Sequence, residues 1–378
     1  MVEKNTNTVC QKNLCAGCMA CIEKCKVNAI EIKDSLSAYN AVIDEHKCVK
    51  CGACKKVCPN NVVPELCKPI SWKEGWTEET LRMNASSGGA ASAIMKHFVD
   101  IGGYVAACMF KNGEFLFEIT NKSEELAKFA GSKYVKSNPK GIYSKIVEKL
   151  KNDEKVLFIG LPCQVAALKN FVSRLHKNDN LYTIDLICHG TPSPQILNLA
   201  LQEKGIDIKK LRNIWFRNKT NFNLIIDEKT KKRETVAPMG TQDMYTHAFL
   251  ASLDYTENCY TCKYAKLERV ADVTLGDSWG SNLSVAEQKK GISLVLCQTH
   301  KGLELVENSG ISLKKVDIDN AIKSNHQLRH PSIMPEKREL FFSHLNKGFD
   351  KAILKCAPKM YYKQKIKGLL IKLKIITA

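Results

Sequence analysis

The chain has 378 residues, 44% of them hydrophobic and 25% charged, which is enough apolar material for a buried core and for about two or three domains. No basic start followed by an apolar run is present, and no stretch of about 20 apolar residues occurs later, so neither a secretory signal nor a membrane-spanning helix is expected and the protein is placed in the cytoplasm. Lys and Arg number 57 against 39 Asp and Glu, a net charge of +18 that suits an acidic protein or an anionic membrane face; no interleaved aromatic and basic motif accompanies it, which argues against nucleic acid as a partner.

The 17 cysteines, in a reducing compartment, read as metal ligands rather than disulfides. Residues 1–68 carry two near-copies of C-x2-C-x2-C-x3-C: Cys15, Cys18, Cys21 and Cys25, then Cys48, Cys51, Cys54 and Cys58, with Pro59 after the second. This is the spacing of bacterial ferredoxins, in which three thiolates of one run hold a 4Fe-4S cluster and the fourth crosses to the other cluster. It assigns Cys15, Cys18, Cys21 and Cys58 to one cluster and Cys48, Cys51, Cys54 and Cys25 to the other. Zinc sites close with four ligands and usually set their second pair farther away, so they fit this pattern poorly. Lys26 stands where the first run would often have proline, which affects only local backbone geometry. Short alternating segments at 29–32 and 41–44 suit small strands covering paired clusters. Cys10 and Cys67 lie outside the pattern and receive no role.

Residues 69–83, with the polar run SWKEGWTEET, read as a linker. From 84 to 204 helix and strand patterns alternate. NASSGGAA at 84–91 marks a helix start whose free N–H groups suit a pyrophosphate, or else a plain cap and tight turn. A strand, a turn at Asn112 and Gly113, and a second strand follow. Next come a helix at 139–151, the strand KVLFIG at 155–160, a helix from Leu161, and the strand LYTIDLIC ending at Cys188. The pattern is α/β, with a mixed or parallel sheet and helices on its faces. Cys163 sits at a strand-to-helix turn and Cys188 ends the next strand, and in an open sheet such carboxyl ends lie together. With Cys259 and Cys262 of a C-x2-C pair they make four thiolates. Three readings stay open for this set: a third 4Fe-4S cluster, a zinc site, or Cys163 as a nucleophile with His189 as its base.

Residues 205–355 read as a second, α+β part completing the same catalytic body. Cys108, Cys297 and Cys356 read as packing residues. In the tail, 356–378, Ile366, Leu369, Leu370 and Leu373 fall at helical spacing among Lys363, Lys365, Lys367, Lys372 and Lys374. That describes a basic amphipathic helix, suited either to peripheral contact with an anionic membrane or to docking on the body.

The ordered set SSGGAASAIM, GSKY at 131–134, GLPCQVAALK, LICHG, C-x2-C and ADVTLGDSWG at 271–280 resembles the coenzyme F420 hydrogenase/dehydrogenase beta-subunit family over about residues 70 to 330, with the tandem ferredoxin module in front. The resemblance implies an iron-sulfur flavoprotein: a dicluster 4Fe-4S domain followed by a mixed-sheet, FAD-binding body. It implies FAD held by the turn of Ser87, Gly88 and Gly89 and by the loop of Gly131, Ser132, Lys133 and Tyr134, with Lys133 meeting a phosphate. Asp277 and Trp279 would line the site. It also makes a third 4Fe-4S cluster the preferred reading for Cys163, Cys188, Cys259 and Cys262. The expected function is an oxidoreductase exchanging electrons with a ferredoxin-like partner and passing them through the clusters to FAD, then to an organic substrate or coenzyme F420. The alternative is a non-catalytic electron-transfer subunit of a larger redox complex.

Overall fold

The computed structural model describes residues 7–175, 179–228 and 233–376, so the first six residues of the ferredoxin-like segment and the last two of the tail lie outside the described residues. At the N-terminal end β1 (Ile30–Asp34) and β2 (Tyr39–Ile43) form an antiparallel pair. Tyr39, Ala41 and Ile43 alternate inward and pack with Val57 and the buried Cys15, Cys18, Cys21 and Cys58. A one-turn helix stands in each cysteine run, Ala20–Lys24 and Ala53–Val57.

The rest of the chain supplies β3 (Ser71–Trp76), β4 (Tyr104–Lys111), β5 (Glu114–Thr120), β6 (Val156–Gly160), β7 (Leu181–Leu186), β8 (Leu211–Asn218), β9 (Asn221–Glu228), β10 (Glu234–Thr235), β11 (Val273–Asp277), β12 (Ser293–Cys297) and β13 (Ser312–Lys314). One eight-stranded sheet has the order β13-β3-β12-β11-β7-β6-β4-β5, and β10-β9-β8 form a separate three-stranded sheet. The inner pairs β4–β6, β6–β7 and β7–β11 are parallel, and the flanking pairs are antiparallel, so the sheet is mixed. Every residue of β6 and β12 is buried, as expected of strands covered on both faces. Helices Ile142–Lys151 and Pro162–Val172 cover one face together with the cysteine-rich module, and Ala90–Asp100 and His300–Glu307 cover the other.

Two expectations change. Residues 69–83 are not a linker: β3 pairs with both β12 and β13, and helix Glu79–Asn84 follows it. Its polar look misleads because Glu74, 2% exposed, accepts hydrogen bonds from the Ser278 and Ser281 hydroxyls (2.5 and 3.1 Å), partners some 200 residues away. From residues 205–355, β11, β12 and β13 enter the central sheet, and only β8 to β10 stand apart. In the tail, helix Pro358–Lys372 does not segregate its apolar and basic residues, because Lys359, Lys363, Lys365, Lys367 and Lys372 spread charge around the circumference. Ile366, Leu369 and Leu373 are exposed beside the lysines, while Gln364 accepts from the Gln242 N–H (3.1 Å) and Gly368 is buried. No helix among the described residues is long and apolar enough to cross a membrane.

The cysteine-rich module is bonded to the body at several points. Glu23 accepts from the N–H groups of Gly141 (2.6 Å) and Ser144 (3.0 Å) and from the Ser144 hydroxyl (3.0 Å), capping helix Ile142–Lys151 from outside its own sequence. The Tyr143 hydroxyl donates to Cys18 O (2.8 Å), Tyr264 to Pro59 O (2.6 Å) and Arg338 to Ser37 O (2.7 Å).

Arg269 and Asp185 form a fully buried pair, with side chains 1% and 0% exposed and Nη2 3.0 Å from Oδ1. Removing one partner of such a pair strands the other charge, so Arg269→Met is expected to cost about 3–5 kcal/mol of unfolding free energy, read from urea midpoints. Asp254 is also wholly buried; among the described residues neither of its carboxyl oxygens has a partner, and burial holds its pKa well above the usual carboxylate range, with Arg338 pulling the other way. The folded chain therefore keeps a proton that the unfolded chain releases above about pH 4, and this group's contribution makes stability fall as pH rises from there toward the folded-state pKa. Asp254→Asn is expected to flatten that fall, checked by comparing urea midpoints of variant and wild type at about pH 5 and about pH 7.

Candidate redox site

The cysteines of the tandem runs gather in two places. Cys15, Cys18, Cys21 and Cys58 line one small cavity together with Ala16, Pro59 and Asn60, and Cys10 joins them. Cys25, Cys48 and Cys54 are half-buried and Cys51 is exposed, so the second set lies nearer the surface. Burial pushes the Cys54 thiol up, and the nearby Cys25 and Cys48 push the same way.

The remaining four are brought together by the sheet. β6 and β7 are parallel neighbours; Cys163 stands in the first turn of the helix that follows β6, and Cys188 lies just past the end of β7. Cys259 lies in the 3-10 turn Glu257–Thr261 and Cys262 directly follows it. All four line one cavity with Lys136, Ala16 and Asn60. Burial pushes the Cys163 thiol up to about 12, with Cys262 and Cys259 adding repulsion and Lys136 opposing it. Burial also drives Cys188 well above the ordinary thiol range, with Cys259, Cys163 and Cys262 pushing the same way. Buried sulfurs in mutual repulsion ionise together only around a cationic centre, which fits a metal cluster. Among the described residues no group of three His, Cys, Asp or Glu side chains is placed to hold a single metal ion. Cys163 does not suit nucleophilic attack either, because its thiol is raised rather than lowered.

Next to this cavity lies a larger one of about 460 Å³, within the usual range for small-molecule sites. The two share Leu161, Cys188, His189, Gly190 and Thr191 as a common wall. Ser87, Gly89, Gly131, Ser132, Lys133 and Tyr134 line the large cavity, as do Asp277 and Trp279. Gly88 does not: a Cβ there would meet Gly75 O at 2.4 Å and Ser293 N at 2.6 Å, so this glycine serves close packing on the sheet. The Ser87 hydroxyl donates to Ile292 O (2.8 Å). Lys133 is present but engaged, its Nζ donating to Phe129 O (2.7 Å) and Ala130 O (3.0 Å), and burial brings its pKa down to about 8. The phosphate contact expected of its amine is therefore replaced by a loop clamp. Tyr134 stacks on Phe249 (4.5 Å between centroids) and Phe222 (6.0 Å), giving one wall a flat aromatic surface.

Three residues at these sites were not singled out from sequence. Arg217 binds both oxygens of Asp277 (2.7 and 2.6 Å) and Ser86 O (2.6 Å), joining β8 to the end of β11 and to the serine turn. An arginine inside the apolar run NIWFRN was the available sign. Gln327 donates to His189 Nδ1 (2.6 Å) and to His326 Nε2 (2.8 Å). Burial, then the neighbouring His326, pushes His189 down to about 4, so it is neutral near pH 7. Lys136, the third, is taken up below. Asp277→Ala is expected to leave the Arg217 guanidinium buried without its anion and to cost about 3 kcal/mol. A double-mutant cycle with Arg217→Met, followed by urea unfolding, should show that most of this loss belongs to the pair.

Residues 153–320 match the family model that describes the C terminus of the beta subunit of coenzyme F420 hydrogenase/dehydrogenase, and residues 14–62 match the 4Fe-4S dicluster domain. An uncharacterized protein of Methanocaldococcus jannaschii is 26% identical over 244 residues, 53% of this chain and 66% of that protein. The F420-dependent formate dehydrogenase 1 subunit beta of Methanococcus maripaludis is 23% identical over 231 residues, 59% of this chain and 54% of that protein. The chain thus spans about half to two thirds of the length of these relatives. A chain from a structure of the F420-reducing NiFe hydrogenase complex from Methanosarcina barkeri aligns with a TM-score of 0.48 at 18% identity, over 75% of this chain and 97% of that one.

Proposed function

The chain belongs to the coenzyme F420 hydrogenase/dehydrogenase beta-subunit family and carries a 4Fe-4S dicluster domain in its N-terminal part; from that premise we propose that it exchanges electrons with a ferredoxin-type partner and passes them through three 4Fe-4S clusters and FAD to an organic substrate or coenzyme F420. One observation carries the reading: the cavities stand in series. Ala16 and Asn60 line both the cavity of Cys15, Cys18, Cys21 and Cys58 and that of Cys163, Cys188, Cys259 and Cys262. The latter in turn shares the wall of Leu161, Cys188, His189, Gly190 and Thr191 with the large cavity.

In this reading Cys25, Cys48, Cys51 and Cys54 hold the cluster nearest the surface, where a partner docks. The turn at Ser86, Ser87 and Gly89 and the loop Gly131 to Tyr134 cradle FAD. Tyr134 and Phe249 present the stacking face, and the Arg217–Asp277 pair fixes the polar end of the wall. When bound, the clusters supply single electrons and the flavin converts them to a hydride pair. His189, neutral and held by Gln327, offers a hydrogen-bond donor at the common wall rather than a general base. Coenzyme F420 as the acceptor draws its support from the name of the Methanococcus maripaludis relative. That relative is itself a subunit, which favours a second reading: transfer to a partner protein with no small-molecule substrate.

Anaerobic iron, sulfide and flavin analysis of the purified protein is expected to give about twelve irons and one FAD per chain, with Cys188→Ser losing about four irons. About eight irons in wild type would leave the third cysteine set to other chemistry. Reduction of coenzyme F420 by the isolated, reduced protein supports the enzyme; robust transfer to partner proteins alone, with no small molecule reduced, supports the electron-transfer reading.

A further inference from the structure

Lys136 lies between the first and third cysteine sets and is 4% exposed. Its Nζ donates to Ala16 O (3.2 Å) on one side and to Thr191 Oγ1 (3.1 Å) on the other. Ala16 stands directly after Cys15, and Thr191 donates its N–H to Cys259 Sγ (3.4 Å). The Tyr39 ring lies 5.2 Å from the ammonium. The site is built around this side chain: Gly17, with φ +68°, would bring a Cβ to 2.7 Å from Lys136 Cδ, so only glycine leaves room for the stem. Both polar partners are neutral oxygens, and among the described residues no carboxylate pairs with the ammonium. A buried ammonium needs an anion, and the groups here that become anionic are the two cysteine sets.

We propose that Lys136 is the fixed counter-charge shared by two 4Fe-4S clusters, the one on Cys15, Cys18, Cys21 and Cys58 and the one on Cys163, Cys188, Cys259 and Cys262, and that it raises the reduction potential of both. The inference rests on the functional reading above. Reduction adds one electron and breaks no bond; Lys136 stabilises the added negative charge on either side of it, so the two potentials rise together. Lys136 is thus a positioning residue for charge, touching neither substrate nor flavin.

The test is an anaerobic redox titration of the full-length holoprotein, followed by electron paramagnetic resonance, for wild type, Lys136→Met, Lys136→Gln and Lys136→Arg. In the Met and Gln variants two cluster potentials are expected to shift to more negative values. The potential of the cluster on Cys25, Cys48, Cys51 and Cys54 should stay in place as an internal control, and Arg should hold all three near wild type. Loss of the two flanked clusters from Met and Gln, with retention in Arg, supports the same need for charge. Full iron in the Met and Gln variants with unchanged potentials overturns the inference, as does loss of clusters from all three variants, which would mark a need for shape. Wild-type protein with only about eight irons would instead overturn the three-cluster reading, and the counter-charge with it.

Discussion

The arrangement of the cysteine sets depends on the buried pair of Arg269 and Asp185. Asp185 lies on β7, three residues before Cys188, and accepts from Arg269 and from the Thr274 hydroxyl of β11 (2.6 Å). Arg269 also donates to Leu186 O (2.9 Å) and Tyr264 O (2.8 Å), and its backbone pairs in both directions with Cys67 at the exit of the cysteine-rich module. One guanidinium therefore fixes the strand that delivers Cys188 and the segment that delivers Cys259 and Cys262, while the backbone of the same residue holds the chain leaving the tandem runs. A lysine could not do this, because the five donors of arginine lie in one rigid plane and are shared here among an acid and two carbonyls.

The same logic recurs at the large cavity. Arg217 links the small sheet to the central sheet through Asp277, and Lys219 donates to the carbonyls of Arg82, Ala85 and Ser87. The serine-glycine turn is thus held by cations as well as by its own hydroxyls. Ser132 N–H donating to the Ser86 hydroxyl (2.8 Å) then joins that turn to the Gly131 loop. Loops that line a cavity are mobile by default; here Arg217 of β8 ties the serine-glycine turn to a strand through Ser86 O.

Sequence disclosed what is local. The tandem cysteine spacing is set by a few residues of backbone, so it can be read directly. The strand-helix alternation around Cys163 and Cys188 is legible for the same reason, since β6 and β7 are short apolar runs. The hairpin at Asn112 and Gly113 is equally local, both residues having positive φ. What escaped depends on distant partners. β3 looked like a linker because its buried Glu74 is satisfied by Ser278 and Ser281. Gly88 looked like a phosphate contact because a glycine that serves packing has the same letter as one that serves a ligand. Lys136 carries no pattern at all; its meaning comes from Ala16 on one side and Thr191 on the other. Cys10 lay outside the cysteine spacing, yet it lines the same cavity as Cys15 and Cys58.

Glu23 caps helix Ile142–Lys151 although it belongs to the module that precedes the sheet. Gly141, at that helix start, has no side-chain cap within its own segment. The body has therefore given up a piece of its own local stability to a neighbour, and the two parts share a seam that neither completes alone. Exchanging the front module for another iron-sulfur module during evolution or engineering would then require more than matching its cluster type. A successor lacking an acid at this point would leave the helix start bare, so the junction constrains which electron-carrying modules can be grafted onto this sheet.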